Sequence, residues 1–146
     1  MRPILTGWWF AKPEAEYIKI GISRGSPRGQ SGFRKYMDLA PGAWFKSVTP
    51  DEYQRRFNQQ LGQLDPHKVA ARIYDLAGDR IPVLCCYERP DLIHKGELFC
   101  HRHFVAKWLE DHLEIEVPEL DFPKLNRFKL LEKHGIEPVS HQPNLI

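Results

Sequence analysis

Two β-rich runs open the chain, ILTGWWF at residues 4–10 and YIKIGIS at 17–23, with the turn-like AKPEAE between them. Branched and aromatic residues split by a short proline-containing segment predict a β-hairpin. The next segment, RGSPRGQSG at 24–32, holds three glycines and one proline. It can continue neither strand and reads as a loop. A short helix is expected from Ser31 or Gly32 to Asp38, stopped by the APG at 40–42.

Thr49, Pro50 and Glu52 have the order of N-cap, first helical residue and capping-box acid, which predicts a helix from about Pro50 to Leu61. Asp65 and Pro66 repeat the cap. From there Val69, Ile73, Leu76 and Ala77 fall on one helical face, and Gly78 supplies the stop. IPVLCCYE at 81–88 is a continuous apolar run with Pro82 tolerated near its start, the pattern of a strand buried on both faces.

After a loop, RPDLIHKGELF, a further helix is expected in which Phe104, Val105, Trp108, Leu109 and His112 share a face. EIEV at 114–117 reads as a strand. Strand, helix and strand in that order form a crossover unit, so these two strands should be parallel. FPKLNRFKLLEKHG at 122–135 is expected to be a last helix ended by Gly135, followed by a tail, IEPVSHQPNLI. The sum is an α/β single domain with a small mixed sheet flanked by helices. Residues 1–118 form its body, and 119–146 add a C-terminal helix and tail packed on it or extending from it.

Composition changes this picture little. A chain of 146 residues suits one core, and its net charge of +2 is too small to argue nucleic-acid binding alone. The distribution is more informative: residues 1–60 carry 10 Lys/Arg against 5 Asp/Glu, and the remainder 11 against 14. Three cysteines, two of them adjacent, and no signal-peptide pattern at Met1 point to a reducing, cytoplasmic setting. No apolar run approaches the roughly 20 residues that span a bilayer, so no membrane partner is expected.

The candidate chemistry lies where LFCHRHF opens a helix. A helix N-terminus attracts anions and lowers the pKa of a thiol placed there. Cys100 is therefore the candidate nucleophile, with His101 as proton carrier and Cys86 and Glu88 at the end of the preceding strand completing the catalytic set. Arg24, Arg28 and Arg102 are the candidate ligand-binding residues. Ligands of open α/β sheets bind beyond the carboxyl ends of the strands. These seven residues converge there if the Tyr17 strand runs parallel to the Ile81 strand, and not if it is antiparallel. Arg24 and Arg102 are expected to face one crevice, with an anion or a carboxylate such as Glu88 between them.

Plainer readings stand beside these. Cys85 and Cys86 taken singly read as core packing, and the tryptophans of GWWF as half core and half surface. His67, His134 and His141 read as solvated. Cys86, His94, Cys100 and His103 offer four zinc ligands, but their spacing matches no knuckle, so zinc binding is an alternative and no metal residue is assigned. No cofactor is identified.

The segments RGSPRG at 24–29, YMDLAPGAWF at 36–45, EYQRRF, and VLCCYE followed by CHR at 100–102 resemble the domain-of-unknown-function family 488 over roughly Thr6 to His112. Carried over, that pattern falls on Arg24, Pro27, Cys86, Glu88, Cys100, His101 and Arg102. Ile22 stands where many members have an acid, and the loop between Glu88 and Cys100 is longer here. The resemblance implies an α/β fold and a polar site without an established reaction. The resulting expectation is an anion-recognising crevice that binds or acts on a nucleotide or nucleic-acid phosphate. A non-catalytic sensor or protein-interaction module is the alternative.

Overall fold

The computed structural model describes residues 2–139. The described residues form four strands: the apolar runs build β1 (Leu5–Trp8), β2 (Tyr17–Gly21) and β4 (Ile81–Cys86), and the exposed pair Arg34–Lys35 adds β3 at the edge. They lie in the order β1-β4-β2-β3 and are parallel at every pairing. The α/β class therefore stands, with a parallel sheet rather than a mixed one. β4 is central because both of its faces are apolar. Leu84 and Cys86 enter the main core, while Val83 and Cys85 join a second cluster with Trp9 and Leu120.

The expected β1–β2 hairpin does not form, since β4 separates the two strands. Trp9 supplies the physical reason. Fully buried, it packs with Val83 and Cys85 and covers a face of β4 that a hairpin turn would leave open. Its indole Nε1 donates to Ser23 Oγ at 2.8 Å, tying the link to the end of β2. Gly21 makes room for the ring, because a Cβ there would lie 2.5 Å from Trp9 Cζ2. Gly21→Ala should therefore destabilise the protein by about 1–3 kcal/mol, the usual penalty of overpacking. Urea denaturation measures this, and an unchanged midpoint would mean that Trp9 shifts freely.

On the main-core side lie α1 (Pro50–Leu61), α2 (Pro66–Ala77) and α4 (His101–Leu113). Thr49 and Asp65 cap α1 and α2 as their sequences predict, accepting from Glu52 N and from His67 N and Lys68 N. The expected 31–38 helix is absent. Gly32 has φ of 70°, outside the helical range, and the chain makes β3 and then a 3₁₀ turn at Met37–Leu39. A second 3₁₀ turn, Ala43–Lys46, precedes α1. A short helix, α3 (Pro90–His94), stands within the expected loop.

EIEV forms no strand. Glu114, at φ of 54°, ends α4, and the chain rejoins the sheet through a parallel bridge between Glu119 and Thr6. The return thus meets β1 rather than β4. Only Lys129–Lys133 (α5) of the expected last helix is helical, ending before Gly135 at φ of 69°. Leu125 and Leu131 bring this C-terminal segment onto the main core. The tail expected from 136 onward, His141 included, lies outside the described residues from 140. No helix among the described residues is long and apolar enough to cross a membrane.

Candidate functional site

Because β2 and β4 are parallel, their carboxyl ends meet, with Gly21 opposite Cys85. Ile22 N donates to Cys85 O at 3.1 Å, and Ser23 and Arg24 continue past the sheet edge. Here a cavity of about 430 Å³ opens between the 24–25 loop, the Ala43–Lys46 turn, α1 and the first residue of α4. Arg24 and Lys46 line it as cations, and Phe45, Tyr53 and Tyr87 as aromatic walls. Glu88 and His101 are the proton-carrying groups that reach it.

The two cations gather round one ring. The Arg24 guanidinium stands 6.0 Å and the Lys46 ammonium 5.4 Å from the Phe45 centroid. Arg24 Nη1 also donates to Pro41 O at 3.2 Å. Neither cation has a carboxylate partner among the described residues. Glu88 does not neutralise them at neutral pH, because its pKa is pushed up to about 8, chiefly by burial and then by the neighbouring Cys100.

His101 forms the inner wall. Its Nε2 lies 2.7 Å from the Ile22 carbonyl oxygen, which can only accept, so Nε2 carries the proton. Cys86 Sγ stands 3.5 Å from Nε2 and 3.8 Å from Nδ1, and Cys100 Sγ 4.0 Å from Nδ1. Both thiols are buried, and Cys100 is only 3% exposed. Burial raises the Cys86 thiol, and its hydrogen bond to Cys100 raises it further. Burial would raise Cys100 as well, but the Cys86 hydrogen bond, the Arg102 charge and His101 together outweigh it and hold Cys100 well below its ordinary value. The helix N-terminus acts in the same direction, since Cys100 is the N-cap of α4. Of the two thiols, Cys100 is therefore the one held down and Cys86 the one pushed up.

The donor atoms of Cys86, Cys100 and His101 lie within 4.8 Å of one another, close enough to consider a metal. Their directions are less favourable. Cys86 Sγ is nearer Nε2 than Nδ1, so it sits over the imidazole ring rather than along the in-plane lone pair of the free Nδ1. As arranged, the group is two cysteine side chains and an imidazole in packing contact. The zinc set read from the sequence is not assembled. His94 Nδ1 accepts from Asn126 N at 2.9 Å, and His103 Nδ1 accepts from Arg127.

Of the sequence-derived candidates, Arg24, Glu88 and His101 line the cavity, and Cys86 and Cys100 lie behind His101. Arg28 is exposed and not part of the lining. Arg102 does not share the crevice with Arg24. It is fully buried, its Nε and Nη2 donating to Glu119 Oε1 and Oε2 at 3.1 and 2.7 Å. Thr6 Oγ1 also donates to Glu119, at 2.7 Å. Cys85 faces the second cluster, its pKa pushed up to about 12 by burial.

Phe45, Lys46 and Tyr53 are site residues that the sequence reading missed. Tyr53 had a signal in its spacing with Phe57 and Leu61 on the buried face of α1, whereas Phe45 and Lys46 had none. No family model, curated protein or solved structure matches the chain, so the resemblance to family 488 rests on the quoted segments alone.

Proposed function

We propose that this protein recognises a nucleotide or nucleic-acid phosphate in the cavity beyond β2 and β4. The phosphate would lie on Arg24 and Lys46 and the base against Phe45, Tyr53 or Tyr87. The observation that carries this reading is the pair of cations at Phe45, neither of them ion-paired among the described residues, in a cavity that Phe45, Tyr53 and Tyr87 line together with the Glu88 carboxyl and His101. Two like charges lining one cavity attract an anion into it, and planar rings favour a ligand with a π-face. Chemistry on that ligand would run through Glu88 and His101, which line the cavity. Cys100, its Sγ 4.0 Å from His101 Nδ1, would act through that imidazole.

Calorimetric titration with thymidine monophosphate, thymidine and inorganic phosphate tests the reading. The monophosphate should bind more tightly than either part alone. Arg24→Ala and Lys46→Ala should each weaken it by roughly tenfold, more at low salt than at high, with stability changing by under about 0.5 kcal/mol because both side chains are exposed. Unchanged affinity in both variants would overturn the proposal, as would no binding by any of the three.

A further inference from the structure

The aromatic wall does not stop at the cavity. On one side Tyr87, 41% exposed, lines the cavity with its ring while its backbone carbonyl accepts from Trp8 Nε1 at 2.9 Å. Trp8 in turn holds Phe10 edge-on, with centroids 5.3 Å apart, and Phe10 is 45% exposed. Tyr87, Trp8 and Phe10 are thus linked in series, from the cavity-lining Tyr87 through its backbone carbonyl to Trp8 and on to the exposed Phe10 ring. The 24–25 loop closes beside Tyr87, since a Cβ on Gly25 would come within 3.7 Å of the Tyr87 hydroxyl. On the other side, Phe45, Lys46, Tyr53 and Glu88 also line a second cavity of about 360 Å³ that reaches Leu98 and Phe99. Each cavity has room for one small ligand.

We infer that the ligand is a single-stranded oligonucleotide, with one nucleotide in the cavity and its neighbours stacked on Tyr87 and Phe10 and over the second cavity. The inference rests on the proposed nucleotide reading and extends it from a free nucleotide to a strand. Charge supports this occupant over an apolar protein segment, because Arg24 and Lys46 line the cavity and the exposed Lys12 and Arg28 follow Phe10 and Arg24 closely in the chain. Their small number means that phosphate contacts alone give little affinity, and stacking on open rings supplies the rest. A duplex is a poor fit, because its paired and stacked bases cannot turn their faces to Phe10 or Tyr87.

Fluorescence anisotropy with labelled oligothymidylate and oligouridylate, the matching duplex, and competing thymidine monophosphate tests it. Either single strand should bind at least tenfold more tightly than the monophosphate, and more tightly than the duplex. Phe10→Ala should weaken strand binding by roughly 5- to 150-fold, the range for losing one stacking ring. It should leave monophosphate affinity unchanged, because Phe10 does not line the cavity, and Phe10→Trp should restore the strand. Thermal melts of both variants check folding. A strand that binds no better than the monophosphate, or a Phe10→Ala variant with full strand affinity, overturns this inference and leaves the nucleotide reading intact. Failure of strand and monophosphate together overturns both. Duplex binding equal to the single strand's would mean a charge-driven surface and would also overturn it.

Discussion

Replacing Arg102 with Ala should lower the free energy of unfolding by about 3–5 kcal/mol, the usual cost of removing one partner from a buried ion pair. Arg102 and Glu119 are 0% and 1% exposed, so water cannot replace the lost guanidinium. Glu119 would keep its Thr6 bond, the charge of the nearby Arg127 without a direct hydrogen bond to it, and a 3.9 Å approach from His103, whose pKa burial holds well down, so that ring stays neutral. Arg102→Met combined with Glu119→Leu should recover most of the loss, because well-packed apolar residues often replace a buried pair at little cost. Urea titrations of the three proteins measure this. A loss under about 1 kcal/mol for Arg102→Ala would mean that the pair is not closed in solution. The double variant has a second readout. Arg102 is one of the charges that hold Cys100 down, so the ultraviolet thiolate absorbance of Cys100 should move to higher pH when it is gone.

That ion pair marks where the sequence stops being legible. α1, α2 and β4 could be read because their signals are local: a Thr or Asp cap followed by Pro, an apolar face at helical spacing, an apolar run with no polar face. The place of β1 and β2 could not be read. A short proline-containing link between two strands has the same pattern whether it turns back as a hairpin or crosses over, and what decides is Trp9 packing on Val83 and Cys85, far along the chain. The partner of Arg102 was hidden for a similar reason. His101, Arg102 and His103 are all buried, so the guanidinium needed an acid, yet Glu119 is one of several acids in an irregular segment, flanked by Pro118 and Leu120, with no periodicity to say which of them turns inward. Cys86, Glu88, Cys100 and His101 were legible as neighbours because one strand end and one helix start bring them together. Phe45 and Lys46 come from a 3₁₀ turn, whose residues have no periodicity to betray which way they face.

Nucleotide affinity should fall as pH rises above about 8, by up to tenfold per unit, and Glu88→Gln should abolish the fall. Burial and the adjacent Cys100 push the Glu88 carboxyl up to about 8, so it is mostly protonated at pH 7 and ionises only above that. The neutral acid leaves the Arg24 and Lys46 field free for a phosphate and can donate a hydrogen bond to it. The carboxylate would repel the phosphate and compete for both cations. Since the ligand favours the protonated form, its binding should in turn raise the Glu88 pKa, with uptake of protons near pH 8. Calorimetry in buffers of different ionisation enthalpy measures that uptake directly. Cys100→Ser provides the internal control. Replacing Cys100 takes away one of the causes that raise Glu88, so the midpoint of the affinity loss should move to lower pH while Glu88→Gln stays flat. A wild-type affinity that does not change between pH 7 and pH 9 would show that Glu88 does not face the bound phosphate.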